Sequence, residues 1–206
     1  MSTPPTIAAV DPRPRGATPP AAQPDARTRI LDAAEAIVQA RGVTGLTLEA
    51  AARDAGVSKG GLLYHFASKE ALLDALLRRL ATAMEQEYRS AVAAQPEGPG
   101  RVSRAILNWG FGDVGCTVAD EMHDRSAAVF LAAFHHDRAL LDPIREVIAR
   151  MRADMAADGL PPGHAGAINA AGDGMLLARL FRLYTPTEQE RAEMRTALEK
   201  LLESPR

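Results

Sequence analysis

Apolar residues recur at helical spacing along most of the chain. In the segment 26–41, Ile30, Ile37 and Val38 fall on one face of a helix, and Gly42 marks its expected end. From position 101 onward the pattern stays helical, without the strict alternation of apolar and polar residues that indicates a β-strand. The chain is therefore predicted to be all-α.

The remaining helices are delimited by glycine, proline and capping residues. Ser68 can cap a long helix with a stripe of leucines on one face, which runs to about Ala94, where the sequence QPEGPG breaks it. The pattern then predicts further helices in the second half of the chain. They cover about 101–114, 119–135, 138–157, 162–184 and 187–203.

Two short helices joined by a tight turn are predicted within Thr47–Lys69, TLEAAARDAGVSKGGLLYHFASK. Thr47 can cap the first helix, and Gly56 can end it in the backbone conformation that glycine adopts most freely. Ser58 can cap the second helix, in which Leu62 and Phe66 lie four residues apart on one face. A helix of about two turns is not stable alone, so neighbouring helices must present it.

The other face of the second helix carries small, basic or hydrogen-bonding residues. Lys59, Gly60, Leu63, Tyr64 and His65 all fall on this outward side. Such a surface is typical of a recognition helix that enters the major groove of DNA. The stretch therefore favours a helix-turn-helix.

Four sequence features in residues 27–80 occur together in one order. They are the opening helix TRILDAAEAIVQARGVTGLT, the turn GVSKG, the His65-Phe66 pair and the start of the next helix, SKEALLDALL. With these features the region resembles the N-terminal domain of the TetR family of bacterial transcription regulators. The resemblance implies an N-terminal three-helix DNA-binding domain with a helix-turn-helix, followed by a C-terminal helical bundle for dimerisation and ligand binding.

Three regions are expected along the chain. Residues 1–25 contain seven prolines and no helical period, so we expect a disordered proline-rich arm. Residues 26–67 are assigned to the helix-turn-helix DNA-binding domain, and residues 68–206 to the helical effector-binding and dimerisation domain. Arg13 and Arg15 could let the arm reach into a minor groove, although an inert tail is the favoured interpretation.

Charge is distributed unevenly along the chain. The 206 residues are 47% hydrophobic and 24% charged, with a formal net charge of -2, which is ordinary for a globular protein. Residues 27–80 hold eight basic and six acidic side chains, whereas residues 81–206 carry a net charge of -4. This asymmetry directs the N-terminal domain toward phosphates.

Several observations argue against disulfide bonds, metal sites, membrane insertion and export. Cys116 is the only cysteine, so an intramolecular disulfide and a multi-cysteine zinc site are excluded. The chain has no run of about eighteen apolar residues and no basic region followed by an apolar core at its N-terminus, so we expect a cytoplasmic protein without a membrane partner. His135 and His136 are adjacent and point about 100° apart on a helix, so no metal site is expected.

DNA binding requires phosphate contacts, base contacts and a fixed helix angle. Lys69 opens a helix and can reach a phosphate there, and the resemblance implies backbone contacts from the residues matching Lys69, Tyr64 and His65. Lys59 is the best candidate for contact with guanine, and Leu63 suits a thymine methyl group. The expected contact residues are Thr47, Ser58, Lys59, Gly60, Gly61, Leu63, Tyr64, His65 and Lys69.

Some positions depart from the family pattern. Many members have Thr followed by Leu-Tyr where this chain has Gly61, Leu62 and Leu63, so the usual hydroxyl and tyrosine are missing. Gly60 and Gly61 each cost about 1 kcal/mol relative to alanine in a helix, which suggests a close approach of the backbone to the duplex. Glu49 could accept from a cytosine amino group, but phosphates repel it, and surface decoration is the safer interpretation.

The resemblance also implies a dimer interface and an effector pocket in the C-terminal domain. The last two helices, about 162–184 and 187–203, are expected to form a four-helix interface with a second subunit, although their apolar stripes would also suit intramolecular core. The candidate pocket residues are soft, aromatic or polar side chains on apolar helices, and each also suits plain core or a structural network. They are Asn108, Trp109, Phe111, Met122, Phe130, Phe134, Met151, Met155, Asn169, Asp173 and Met175.

The combined prediction is a ligand-responsive transcription regulator. It is a homodimeric repressor that a small, largely apolar effector releases from a double-stranded DNA operator. A DNA-binding or architectural protein without an effector is one alternative, and an all-α enzyme is another. Because no phosphate loop, nucleophile elbow, metal-ligand run or catalytic pair of carboxylates is found, we expect neither catalysis nor a cofactor.

Overall fold

The computed structural model describes residues 24–111, 137–180 and 183–203. Within these ranges the chain forms eight α-helices and one short 3-10 helix, with no strand, which agrees with the predicted all-α fold. Two predicted segments, the arm up to residue 23 and the helix 119–135, lie outside the described residues. The same is true of Cys116, Met122, Phe130, Phe134, His135 and His136.

The helices are short at the N-terminus and longer afterwards. A 3-10 helix, Arg138–Leu141, leads directly into the sixth α-helix. In chain order the α-helices are α1 (Ala26–Gly45), α2 (Leu48–Asp54), α3 (Lys59–His65), α4 (Lys69–Ala93), α5 (Arg101–Phe111), α6 (Asp142–Ala156), α7 (His164–Leu180) and α8 (Glu188–Glu203).

Helix α1 begins at a cap and bends near its end. Asp25 accepts a hydrogen bond from the backbone N–H of Thr28 at 2.7 Å, so this residue starts the helix rather than ending the arm. Gly42 has φ 67° and ψ -179°, a conformation that favours glycine. The predicted helix end at Gly42 is therefore a kink, after which α1 continues to Gly45.

The N-terminal core is built from both halves of the chain. Ile30 of α1, Leu62 of α3 and Leu72 of α4 are fully buried in it. The 3-10 helix and the start of α6 add three buried residues to the same core, Leu141, Ile144 and Val147. The short helices α2 and α3 thus rest on a base that extends well beyond residue 67.

A second core lies between α5, α6, α7 and α8. Its buried members are Ile106, Leu107, Phe111, Met155 and Ile168. Helix α8 has no fully buried residue and packs on this core through half-buried side chains, Met194, Leu198, Leu201 and Leu202. The predicted apolar stripe of the last helix is therefore partly intramolecular core.

Helices α5 and α7 approach each other closely at two glycines. A Cβ atom added to Gly110 would lie 3.3 Å from the Cα atom of Gly172. The two backbones therefore meet without a side chain between them, and a larger residue at Gly110 would force the helices apart.

Two predicted helix boundaries differ from the structure. The first four residues of the predicted helix 138–157 form the 3-10 helix, and Pro143 then occupies the first turn of α6, where proline is tolerated. Helix α7 is described as far as Leu180, residues 183 and 184 are not helical, and the N–H of Leu183 bonds the carbonyl of Ala178, five residues back. No helix in the described ranges is both long and apolar enough to cross a membrane.

Candidate nucleic-acid interface

Helices α2 and α3 form a capped helix-turn-helix. Thr47 Oγ1 accepts from the N–H of Ala50 at 3.0 Å, and Ser58 Oγ accepts from the N–H of Gly61 at 3.0 Å. Gly56, in the turn, has φ 65°, the positive value predicted for it. Both caps join residues three apart, so local sequence alone specifies where each helix begins.

Helix α3 has one buried face and one exposed face. Leu62 is 0% exposed and Phe66 is 3% exposed, so these two side chains attach α3 to the N-terminal core. On the opposite face Leu63 is 41% exposed and Tyr64 is 85% exposed. The predicted division of the helix into an inner and an outer side is confirmed.

Lys59 and Glu49 form an ion pair across the two helices. The Nζ atom of Lys59 lies 2.6 Å from Oε1 of Glu49, and the two side chains are 61% and 63% exposed. The hydrogen bond from Lys59 is the main cause that lowers the pKa of Glu49, so this carboxylate stays ionised at neutral pH. Glu49 is therefore part of the same surface as the predicted base contact.

The glycines of α3 have different surroundings. A Cβ atom on Gly60 would meet only Ser58 Oγ, at 4.0 Å, whereas one on Gly61 would come within 3.2 Å of the same oxygen. Gly61 thus leaves room for the cap. No contact within the subunit requires Gly60, which agrees with a surface that another molecule approaches closely.

Lys69 links the start of α4 to the end of α1. Its Nζ donates to the carbonyl of Val43 at 2.7 Å, and the side chain is half-buried. Ser68 caps α4 by accepting from the N–H of Ala71 at 3.2 Å, as predicted. One of the three ammonium protons of Lys69 is thus used inside the subunit, which leaves two for a phosphate.

The end of α3 carries an aromatic and cationic cluster. The rings of Tyr64 and His65 meet edge to face with centroids 5.1 Å apart. The guanidinium of Arg27 lies 5.4 Å from the centroid of Phe66, so an exposed cation of α1 stands beside the recognition helix. Sequence reasoning did not single out Arg27; its position in the first turn of α1 was the available signal.

The described effector candidates fall into two separate cores. Phe111 and Met155 are buried in the second core, and Met175 packs against it. Met151, one turn before Met155 on α6, packs against the N-terminal core instead. Trp109, two residues before Phe111 on α5, is half-buried and belongs to neither core.

The polar effector candidates have partners at or near the surface. Asn108 is exposed; its Oδ1 accepts from Arg195 at 2.6 Å and its Nδ2 donates to Gln95 at 3.2 Å. Asn169 donates to Asp173, one turn further along α7, at 2.8 Å. In this subunit these groups form structural links rather than a buried polar cluster.

An open groove of about 660 Å³ lies between the end of α4, the start of α5 and the end of α6. Tyr88, Arg101 and Asp154 line it, and the Tyr88 hydroxyl donates to Asp154 at 2.8 Å. The effector candidates that the structure describes lie elsewhere. Among residues 24–111, 137–180 and 183–203, no group of three His, Cys, Asp or Glu side chains could hold a metal ion.

The fold and this surface define a class of protein, namely a helix-turn-helix protein whose C-terminal part is also helical. Residues 30–76 match the family described as "Bacterial regulatory proteins, tetR family", and residues 100–203 match "Tetracyclin repressor-like, C-terminal domain". The chain belongs to the TetR family of bacterial regulators, as its motifs predicted. Members of this family are transcription regulators and not enzymes.

Curated relatives match over less than half of the chain. The chain is 37% identical over 81 residues to the transcriptional repressor KstR2 of Rhodococcus jostii (strain RHA1), a match that spans 39% of this chain and 37% of the relative. It is 38% identical over 64 residues to the transcriptional regulator SrpR of Pseudomonas putida, spanning 31% of this chain and 30% of SrpR. The matches thus cover well under half of each of these two relatives.

Solved structures match over most of the chain. The multidrug binding protein EbrR complexed with ethidium is 28% identical, with a TM-score of 0.59, over 85% of this chain and 99% of EbrR. EbrR complexed with malachite green is also 28% identical, with a TM-score of 0.58, over 87% of this chain and 99% of EbrR. A TetR family member from Streptomyces coelicolor A3 is 28% identical, with a TM-score of 0.60, over 87% of this chain and 99% of that protein.

Proposed function

We propose that the chain is a homodimeric, ligand-responsive repressor that binds a DNA operator. One observation carries the proposal: α3 buries Leu62 and exposes Lys59, Leu63 and Tyr64 on a helix held from behind by the core. That arrangement suits a helix inserted into a major groove. We assign residues 26–67 as the DNA-binding domain, with DNA contacts from the caps Thr47 and Ser58, from the exposed side of α3 and from Lys69.

We assign dimerisation to the outer face of α7 together with α8. On α7, Leu176 and Leu177 are 45% and 48% exposed in the single subunit. A Cβ atom on Gly166 or Gly174 would meet nothing within 4 Å, so neither glycine serves packing inside the subunit. An exposed apolar and small-residue face of this kind suits close contact with the same face of a second copy.

We propose a small, largely apolar effector that binds in the C-terminal helical region. The second core contains Phe111, Met155 and Met175, whose aromatic and thioether side chains adapt to bulky apolar molecules. EbrR, which is similar over most of its length, has been solved with ethidium and with malachite green. These dyes are therefore suitable first probes.

The DNA-binding part is tested by titrating the full chain with duplexes from the genomic regions that flank its coding sequence, in excess competitor DNA. We expect retardation of one fragment and loss of that retardation in Leu63→Ala. Ile148→Ala is the matched control, because Ile148 is 44% exposed against 41% for Leu63 but lies on α6. Equal binding by both variants would contradict the assignment of α3.

The effector part is tested on the same protein. Ethidium and malachite green should raise the melting temperature by mass action and release the retarded fragment at matching concentrations. An increase in melting temperature without release would argue against ligand-controlled DNA binding. A DNA-binding protein without an effector would show neither effect.

As a repressor, the protein would act on the chromosome, in the bacterial cytoplasm.

A further inference from the structure

The ion pair between Glu49 and Lys59 lies where two helices begin. Glu49 is the second residue of α2, after the Thr47 cap, and Lys59 is the first residue of α3, after the Ser58 cap. The positive end of a helix favours the carboxylate but disfavours the ammonium. The glutamate therefore holds the lysine at a position that a lysine alone would not favour.

The pair is exposed as well as ordered. Each side chain keeps about three fifths of its surface accessible although the two charged atoms are 2.6 Å apart. Leu63 follows Lys59 by one helical turn and lies on the same face of α3, and the unshielded backbone of Gly60 is adjacent. A donor and an acceptor are thus presented side by side on the surface that we assign to the major groove.

We propose that Glu49 and Lys59 together read a single G·C base pair. The Lys59 ammonium donates to O6 and N7 of guanine, and the Glu49 carboxylate accepts from the N4 amino group of cytosine. These groups are neighbours on the major-groove edge of that pair, and lysine with guanine and glutamate with cytosine are the side-chain choices that this edge selects. The inference rests on the proposed DNA-binding function and adds its base specificity.

The negative charge of Glu49 should also increase discrimination between base pairs while it lowers the affinity for DNA in general. A carboxylate beside the duplex is repelled by phosphates, so it weakens binding to any DNA that does not offer an amino group in its place. Removing the charge should therefore strengthen non-specific binding while it weakens discrimination at one base pair. A solvated surface carboxylate would change affinity without changing base preference.

The experiment is a selection from a randomised duplex pool with five full-length proteins. They are the unmodified chain, Glu49→Gln, Lys59→Met, the variant that carries both of these changes, and the control Asp54→Asn. Asp54 lies at the other end of α2, pairs with Arg53 at 3.0 Å and is partly exposed, so its variant makes the same change in charge on the same helix. The selected sequences and the affinity for a non-specific duplex are measured for each protein.

The unmodified chain should enrich a two-fold symmetric sequence in which the same position of each half-site is fixed as G·C. Glu49→Gln and Lys59→Met should both relax that same position, each lowering its discrimination by about tenfold, the scale of one good base contact. Combining the two changes should add little, because one interaction is removed twice. Asp54→Asn should keep the preference.

Three results would overturn the inference. In the first, the two variants relax different positions; in the second, Glu49→Gln keeps every preference, as Asp54→Asn does; in the third, Lys59→Met keeps the G·C preference. Any of these, with a sequence still enriched by the unmodified chain, removes the paired contact but leaves the repressor proposal standing. If the unmodified chain enriches no sequence, the DNA-binding proposal itself fails, and the paired contact fails with it.

Discussion

A substitution at Gly60 should affect the stability of α3 and its binding to DNA in opposite directions. Because a Cβ atom at this position would meet only Ser58 Oγ, at 4.0 Å, alanine fits without strain. Gly60→Ala should therefore raise the free energy of unfolding by up to about 1 kcal/mol, through helix propensity. If the duplex approaches the bare backbone here, the same variant should bind the operator more weakly.

Thermal unfolding and operator titration of one preparation check both parts of the Gly60 prediction. Gly61→Ala is the comparison, since its Cβ atom would come within 3.2 Å of the oxygen that caps α3, so this variant should gain less stability than Gly60→Ala. A Gly60→Ala protein that is stabilised and binds normally would show that the duplex stays clear of this backbone.

Lys69 has a structural role in the subunit and a proposed role in phosphate binding, and the salt dependence of DNA binding can separate them. A phosphate contact predicts that Lys69→Ala binds all sequences more weakly and flattens the dependence of log affinity on log salt by about one unit. Because Lys69→Ala also loses the hydrogen bond to the Val43 carbonyl, the same variant should have a lower melting temperature. Titrations at several salt concentrations, with Lys69→Arg as the variant that keeps the charge, distinguish the two; an unchanged slope with a lower melting temperature would leave only the structural role.

At the level of elements, Arg79 holds α4 to α1. Its guanidinium donates to Asp32 at 2.5 Å and also to Glu35, and these carboxylates lie three residues apart on one face of α1. Arg79→Ala removes the bridge and leaves two like charges facing each other. We expect the free energy of unfolding to fall by roughly 1 kcal/mol, the upper end for partly exposed pairs.

Arg78 supplies the control for Arg79. This neighbouring residue pairs with Asp74 four residues back on the same helix, so Arg78→Ala should change stability by at most about 0.5 kcal/mol. Denaturant titration of the two variants measures the difference. Equal effects would mean that the contact between α1 and α4 adds nothing beyond an exposed pair within one helix.

Sequence patterns predicted the features of these elements that depend on near neighbours. The caps at Thr47, Ser58 and Ser68 each involve a residue three positions away, and all three are present. The bond from Lys69 to Val43 joins residues 26 apart and depends on the angle between α1 and α4. The Glu49–Lys59 pair likewise depends on how α2 and α3 cross, which helical periodicity does not specify.

The same distinction applies to the effector candidates. A stripe of apolar residues shows which face of α6 is buried but not against which helix. Met151 and Met155 lie on the same stripe, yet Met151 packs on the N-terminal core and Met155 on the second core. Asn108 and Asp173 were singled out as polar groups on apolar helices, and both are exposed.

For the whole molecule, the extent of the N-terminal core predicts shared stability. Ile144 of α6 is 4% exposed and belongs to the core that supports α3. Ile144→Ala should lower the free energy of unfolding by about 2 to 5 kcal/mol, as for other buried aliphatic truncations. Because the core is continuous, backbone amides of α3 should also exchange faster with solvent.

Hydrogen exchange with mass spectrometry on Ile144→Ala measures that coupling. Ile148→Ala, one turn further along α6 and 44% exposed, should leave both stability and the exchange of α3 nearly unchanged. If α3 keeps its protection in Ile144→Ala while α6 loses it, the recognition helix is supported by the first four helices alone.

The close packing of Gly110 and Gly172 couples α7 to α5, and through α5 to α4. The two main chains pack closely at these glycines with no side chain between them that could adjust, so we expect a shift of α7 to displace α5. At its start, α5 is tied to the last turn of α4, because Arg101 Nε donates to the Val92 carbonyl at 3.0 Å. If the subunits pair through α7 as proposed, a rotation of one against the other would displace the far end of α4. The other end of α4 begins at Lys69, four residues after α3, the proposed DNA-contacting helix.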